Sequence, residues 1–136
     1  MTPFIDTNII IRYLTGDDPK KQEQCARLFE RIETGKTRIF TPDIVIAECT
    51  YVLSSPRLYD LTHEKIRALL VPILRLPNFE VQNKRILLNT LDIYAASDID
   101  FEDAYILATM QHMEAKRLIS YDTEFDKFPY IKREEP

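Results

Sequence analysis

Tryptophan is absent from these 136 residues, and glycine and cysteine occur only twice each. So little glycine leaves no GxxxxGK[ST] phosphate loop, no GxGxxG turn and no GxSxG elbow, which removes nucleotide cradling by glycine-rich backbone and that form of serine hydrolysis. Cys25 and Cys49 are too few for a disulfide framework and too far apart for a metal knuckle or redox pair. They read as two reduced thiols on helices. Long hydrophobic runs are missing as well. The longest, the seven residues from Ala68 to Leu74, is interrupted by Pro72, whereas a span needs about 20 apolar residues. No membrane association is expected, and the start lacks the basic-then-apolar order of a secretory leader. With 45% hydrophobic and 29% charged residues, no repeat and no low-complexity tract, the chain reads as one cytosolic domain over residues 1–136, its last five residues a frayed tail.

An excess of positive charge is also lacking. Eighteen Lys and Arg stand against 22 Asp and Glu, a net charge of −4, which argues against a conventional basic nucleic-acid binder. Acids gathered in one site would change that inference: with four of them set aside around cations, the rest of the chain is neutral. Arg12, Lys20, Lys21, Arg57, Arg117 and Lys127 are available as a phosphate-tracking rim or as ordinary solvated surface, and sequence does not show whether they cluster.

What the chain does have is alternation. A short strand around Pro3 to Ile5 leads into a helix from Asp6-Thr7-Asn8, and Asp17-Asp18-Pro19 caps a long amphipathic helix that Gly35 stops. Further strands are expected at Arg38–Phe40, Phe79–Val81, Arg117–Ser120 and near Tyr130-Ile131, with helices between them and a short helix around Thr123 to Lys127. Pro72 should kink or divide the helix it interrupts. The pattern predicts an α/β three-layer sandwich around a mainly parallel sheet of about five strands.

Four carboxylates fall where their surroundings predict burial or a strand's carboxyl end. Asp6 follows the strand residues Phe4 and Ile5, where an open parallel sheet lines its ligand crevice, although a helix N-cap explains it equally well. Glu48 has Ile44, Val45, Tyr51 and Val52 at helical spacing, with no Lys or Arg on that stripe to pair with it. Asp103 opens the stripe Ile106, Leu107, Met110, while Asp100 before it is a natural cap. Asp122 ends the strand Leu118 to Tyr121, and Asp126, one turn later, competes with it. Acids converging at one sheet edge would raise each other's pKa unless a cation neutralised them, and oxygen ligands without His or Cys suit Mg²⁺ or Mn²⁺. His63 and His112 lie in polar helical surroundings and are assigned no ligand role.

The string Phe4-Ile5-Asp6-Thr7-Asn8-Ile9-Ile10, the segment Ile44-Val45-Ile46-Ala47-Glu48, Asp100-Phe101-Glu102-Asp103-Ala104 and Ser120-Tyr121-Asp122-Thr123-Glu124-Phe125 resemble, in order, the four acidic motifs of PIN-domain nucleases. The short build is most similar to the VapC-type toxins of toxin–antitoxin pairs. The resemblance covers about residues 3–128. It implies a Mg²⁺- or Mn²⁺-dependent endoribonuclease with one or two ions, acting on tRNA or another structured RNA. It also implies an antitoxin partner and a homodimer formed through helices. Asp6 and Asp103 would be the principal ligands, joined by Glu48 and by Asp122 or Asp126, with Thr7, Asn8 and Ser120 shaping the site. The apolar stripes Leu28, Phe29, Ile32 and Ile44, Tyr51, Val52 offer helix surface for the dimer or simply pack inside. Two other readings compete: a PIN-like scaffold that binds RNA or a partner without cutting, and a receiver-type phosphoacceptor domain. The second would want paired acids at the first strand, an acceptor Asp and a late Lys, which the chain does not offer.

Overall fold

A few extended residues feeding directly into a helix set the pattern of this chain, and Asp, Thr and Pro mark the starts. In the computed structural model, which describes residues 1–136, Asp6 caps α1 (Thr7–Leu14) by accepting from the Ile9 N–H at 3.4 Å. Asp18 caps α2 (Pro19–Glu33) through the Lys21 N–H at 3.1 Å, and Pro19 sits in the first turn, where its missing N–H costs nothing. Gly35 takes the left-handed φ of 81° just beyond the end of α2, a conformation that favours glycine. There follow β1 (Ile39–Thr41), α3 (Asp43–Ser54), α4 (His63–Leu74), β2 (Phe79–Val81), α5 (Lys84–Ala95) and α6 (Phe101–His112). The chain closes with β3 (Arg117–Ile119), a 3-10 turn (Thr123–Lys127) and β4 (Lys132–Glu134).

Every strand pairing is parallel, as the alternation predicts. β1 lies beside β2 with Ile39 opposite Phe79 and Thr41 opposite Val81, and β3 lies beside β4 with Arg117 opposite Lys132. The expected sheet of about five strands is corrected: four strands of three residues form two separate pairs. The N-terminal stretch contributes a single bridge from Phe4 to Phe40. Pro3 has no N–H to donate and Asp6 already turns the chain into α1, so too few extended residues remain for a ladder.

Two other expectations also shift. Lys132 to Glu134 are β4 and not a frayed tail, since the ladder to β3 and the ion pairs Arg117–Glu134 and Arg133–Asp126 hold them. Pro72 does not divide its helix: α4 runs on to Leu74, and at two residues from the end proline sacrifices only one internal hydrogen bond.

The core is continuous. Ile10 from α1, Ile32 from α2, Ile46 and Leu53 from α3, Leu70 from α4, Phe79 from β2 and Leu87 from α5 are fully buried and pack as one cluster. Each such side chain contributes about 1.5–3 kcal/mol by leaving water. Helices α4, α5 and α6 pack in succession, while α1 lies against both α2 and α3. That last contact brings the start of α1 to the middle of α3. Both cysteines are free and buried, and burial pushes the Cys49 thiol up to about 12, as expected for inert core thiols.

Candidate active site

The N-cap geometry that starts α1 leaves the Asp6 carboxylate exposed at the head of the helix, beside the positive end of its dipole. Thr7, the next residue, is buried, and its hydroxyl donates to Glu48 Oε2 at 2.7 Å. This bond spans 41 residues and ties the start of α1 to α3. Glu48 itself is exposed, which corrects the expected inward position. The buried stripe of α3 is Val45, Ile46, Cys49, Thr50 and Leu53, whereas Ile44, Glu48 and Tyr51 share the outer face. A helix apolar on nearly every side gives no sequence signal for which stripe points inward.

The second group lies at the start of α6. Asp103 is half-buried in the first turn, and its carboxyl is held above the usual range by burial first, then by Asp122, Asp100, Glu102 and Glu124. Asp122 caps the 3-10 turn by accepting from the Glu124 N–H at 2.9 Å, and its own N–H donates to Ser120 Oγ at 3.0 Å. Ser120 therefore braces the Asp122 backbone. Asp126 is committed elsewhere. The Arg133 guanidinium grips it in a fork, 2.9 and 3.2 Å, and holds its carboxyl below the usual range. An acid so engaged is a poor free ligand, which favours Asp122 over Asp126.

Two local links run among the acids: Thr7, next to Asp6, holds Glu48, and Asp122 bears on Asp103. No three carboxylates stand close enough to enclose one ion. The donor set is nonetheless all hard oxygen, and Asp103, raised by burial first and then by four neighbouring acids, carries a charge that a cation relieves. Mg²⁺ keeps several waters and takes one or two carboxylates, so these groups suit a hydrated hard ion better than a protein cage.

Asn8 stands exposed on the opposite side of α1 from the core and lines a cavity with Arg12 and Lys21. Sequence reading missed another cluster beside the acids. Asp43 opens α3 and accepts from Tyr105 Oη at 2.8 Å and Asn83 Nδ2 at 3.0 Å, Asn83 adopting the left-handed φ of 58°. Arg133 was equally invisible, because a charged C-terminus reads as solvated tail.

The family model of the PIN domain matches residues 4–129. The chain belongs to the PIN domain family. This match embraces all four acids and leaves the receiver-type reading without support. Within the curated proteins, a VapC ribonuclease of Aquifex aeolicus (strain VF5) is 25% identical over 127 residues, covering 93% of this chain and 92% of the relative. Of solved structures, the Mycobacterium tuberculosis VapC20 toxin, described as cleaving the sarcin–ricin loop, covers 96% of this chain and 97% of its own at 15% identity and a TM-score of 0.41. The PIN assignment rests on the family match.

Proposed function

We propose that this PIN domain is a metal-dependent endoribonuclease that hydrolyses phosphodiester bonds in RNA, with tRNA a candidate substrate, as the toxin of a VapBC-type pair in the cytoplasm. The observation that carries the reading is Asp103: a half-buried carboxyl with Asp122 as the strongest acidic influence upon it, on a helix start within a PIN chain. Asp6 and Asp103, with Glu48 and Asp122, would hold one or two Mg²⁺ or Mn²⁺ ions. Such an ion supplies a water of lowered pKa and neutralises charge on the phosphate. The chain's own residues prepare the ligands. Thr7 fixes one oxygen of Glu48, the Glu124 N–H fixes one of Asp122, and Ser120 fixes the backbone between β3 and the 3-10 turn. The similarity to a VapC ribonuclease across most of both chains supports the toxin reading and, with it, an antitoxin partner. A homodimer is part of the same reading, on the exposed apolar face of α3 and α6.

That no three carboxylates stand close enough to enclose one ion favours one competing reading, a PIN-like scaffold that binds RNA without cutting. Incubating a tRNA panel and an unstructured RNA with Mg²⁺, Mn²⁺ or EDTA separates the two. Cleavage that needs metal and is lost in Asp103→Asn and Asp6→Asn, both still folded, is the expected result. Wild-type protein that binds RNA and leaves it intact in every metal would establish the scaffold.

A further inference from the structure

Of the six cations that sequence offers as a rim, the structure neutralises two: Arg117 is forked onto Glu134 at 3.0 and 2.8 Å, and Lys127 is held by Asp98 and Glu124 at 3.0 and 2.6 Å. Arg12 and Lys21 are different. Together with Asn8, Ile9, Gln24 and Cys25 they line a cavity of about 280 Å³ between α1 and α2. Lys21 makes no ion pair, and Arg12 has only a long contact of 3.8 Å to Asp17. Asp17 is itself satisfied by the hydroxyls of Tyr59 and Thr15 at 2.8 and 2.9 Å. Two cations and two side-chain amides on a concave wall make an anion site, and the cations are otherwise unspent.

Position gives the anion its identity. Asn8 and Arg12 are one turn apart on the same face of α1, and Asp6 caps that helix. Ile9 is shared with a second cavity, lined by Phe4, Ile5, Asp6, Pro42 and Val45, so the cavity holding the two cations adjoins the one that holds Asp6. From Asp6 to Arg12 along the helix is about 9 Å, a distance that a strand spans in about two nucleotides. We propose that the α1–α2 cavity is a phosphate subsite for single-stranded RNA, in which Arg12, Lys21 and the Asn8 amide hold a backbone phosphate of the strand presented to Asp6. The inference rests on the nuclease reading for what happens at Asp6. Holding the phosphate does not depend on cleavage.

The test therefore has a binding arm and a cleavage arm. In EDTA, the affinity of a fluorescein-labelled oligouridylate is measured by anisotropy over a salt series for wild type, Arg12→Gln, Lys21→Gln and the double variant, with Arg75→Gln as a control outside the cavity. Each cavity substitution should reduce the magnitude of the salt slope by about 0.7, and the double variant should bind roughly tenfold more weakly at low salt. Arg12→Lys and Lys21→Arg should restore binding, which separates charge from folding. With Mn²⁺, the cavity variants should raise KM and leave kcat near wild type. Variants that bind with wild-type affinity and slope, a control that loses as much as they do, or wild type that binds no oligouridylate at low salt would each overturn the subsite. Binding lost in the variants of a wild type that cuts nothing would keep the subsite and remove the nuclease reading.

Discussion

A buried threonine whose hydroxyl reaches an exposed carboxylate is an economical way to aim a ligand. The Thr7 methyl is packed inside while its Oγ1 holds Glu48 Oε2 at 2.7 Å, so one residue serves the core and the cleft. Hydrogen bonds to charged groups contribute up to about 3 kcal/mol, but Glu48 lies in water and the net value falls toward about 1 kcal/mol or less. Thr7→Val keeps the shape of the side chain and removes the bond. Its melting temperature should drop by a few degrees at most, whereas metal-dependent cleavage should fall by an order of magnitude or more, with Thr7→Ser retaining most of the rate. Equal cleavage by the Val variant and wild type would mean that Glu48 needs no such support. Sequence made Thr7 visible as part of an opening motif, but the partner 41 residues away is a tertiary fact that no local pattern encodes.

Between single residues and the fold stands the clamp at the C-terminus. β4 has no buried apolar residue, and its side chains, Lys132, Arg133 and Glu134, are what a solvated tail would carry. That is why sequence placed the strand two residues early, on Tyr130-Ile131, and left the true one unrecognised. Helices were legible because Asp6, Asp18 and Thr62 announce their starts by capping chemistry. α3 was legible as a helix, yet its all-round apolar surface hid the fact that Glu48 faces outward. In the clamp, Arg133 is largely covered, with 16% of its side chain exposed. It spans Asp126 on the 3-10 turn and the Ser120 carbonyl at 3.1 Å, bracketing the backbone that carries Asp122. Because Arg133 holds the Asp126 carboxyl below its ordinary value in the folded chain, the contribution is present at neutral pH, above the unfolded pKa, and is lost as pH falls through the folded pKa. Relative to the intrinsic rate at each pH, hydrogen exchange over residues 120–134 should therefore quicken below about pH 4 in wild type. In Arg133→Met it should already be fast at pH 7, with cleavage impaired. Protection that does not change with pH or with the substitution would remove the clamp from the account of the site.

Taken whole, the molecule keeps one apolar face uncovered. On the outer side of α3 and the adjoining edge of α6, Ile44, 63% exposed, and Ile106, 40% exposed, line a shallow cavity with Ala47, Phe101 and Tyr105, and Tyr51, 54% exposed, lies on the same outer face of α3. Isolated exposed apolar residues are ordinary, but three on adjoining helices, two of them lining a cavity, form a patch that association would cover. A two-fold axis through this face would set Ile44 of each copy against its mate, so every substitution acts twice. Burying one isoleucine is worth about 1.5–3 kcal/mol, and its loss on both sides should weaken a dimer by roughly two to four orders of magnitude. Wild-type protein at micromolar concentration should thus scatter light as twice its 16.0 kDa mass, and Ile44→Asp as a single copy with an unchanged far-ultraviolet circular dichroism spectrum. Leu58, also exposed but on the loop after α3, provides the contrast, since Leu58→Asp should leave the dimer intact. A wild type that is monomeric, or an Ile44→Asp that remains dimeric, would place the subunit contact elsewhere and leave this face to another partner.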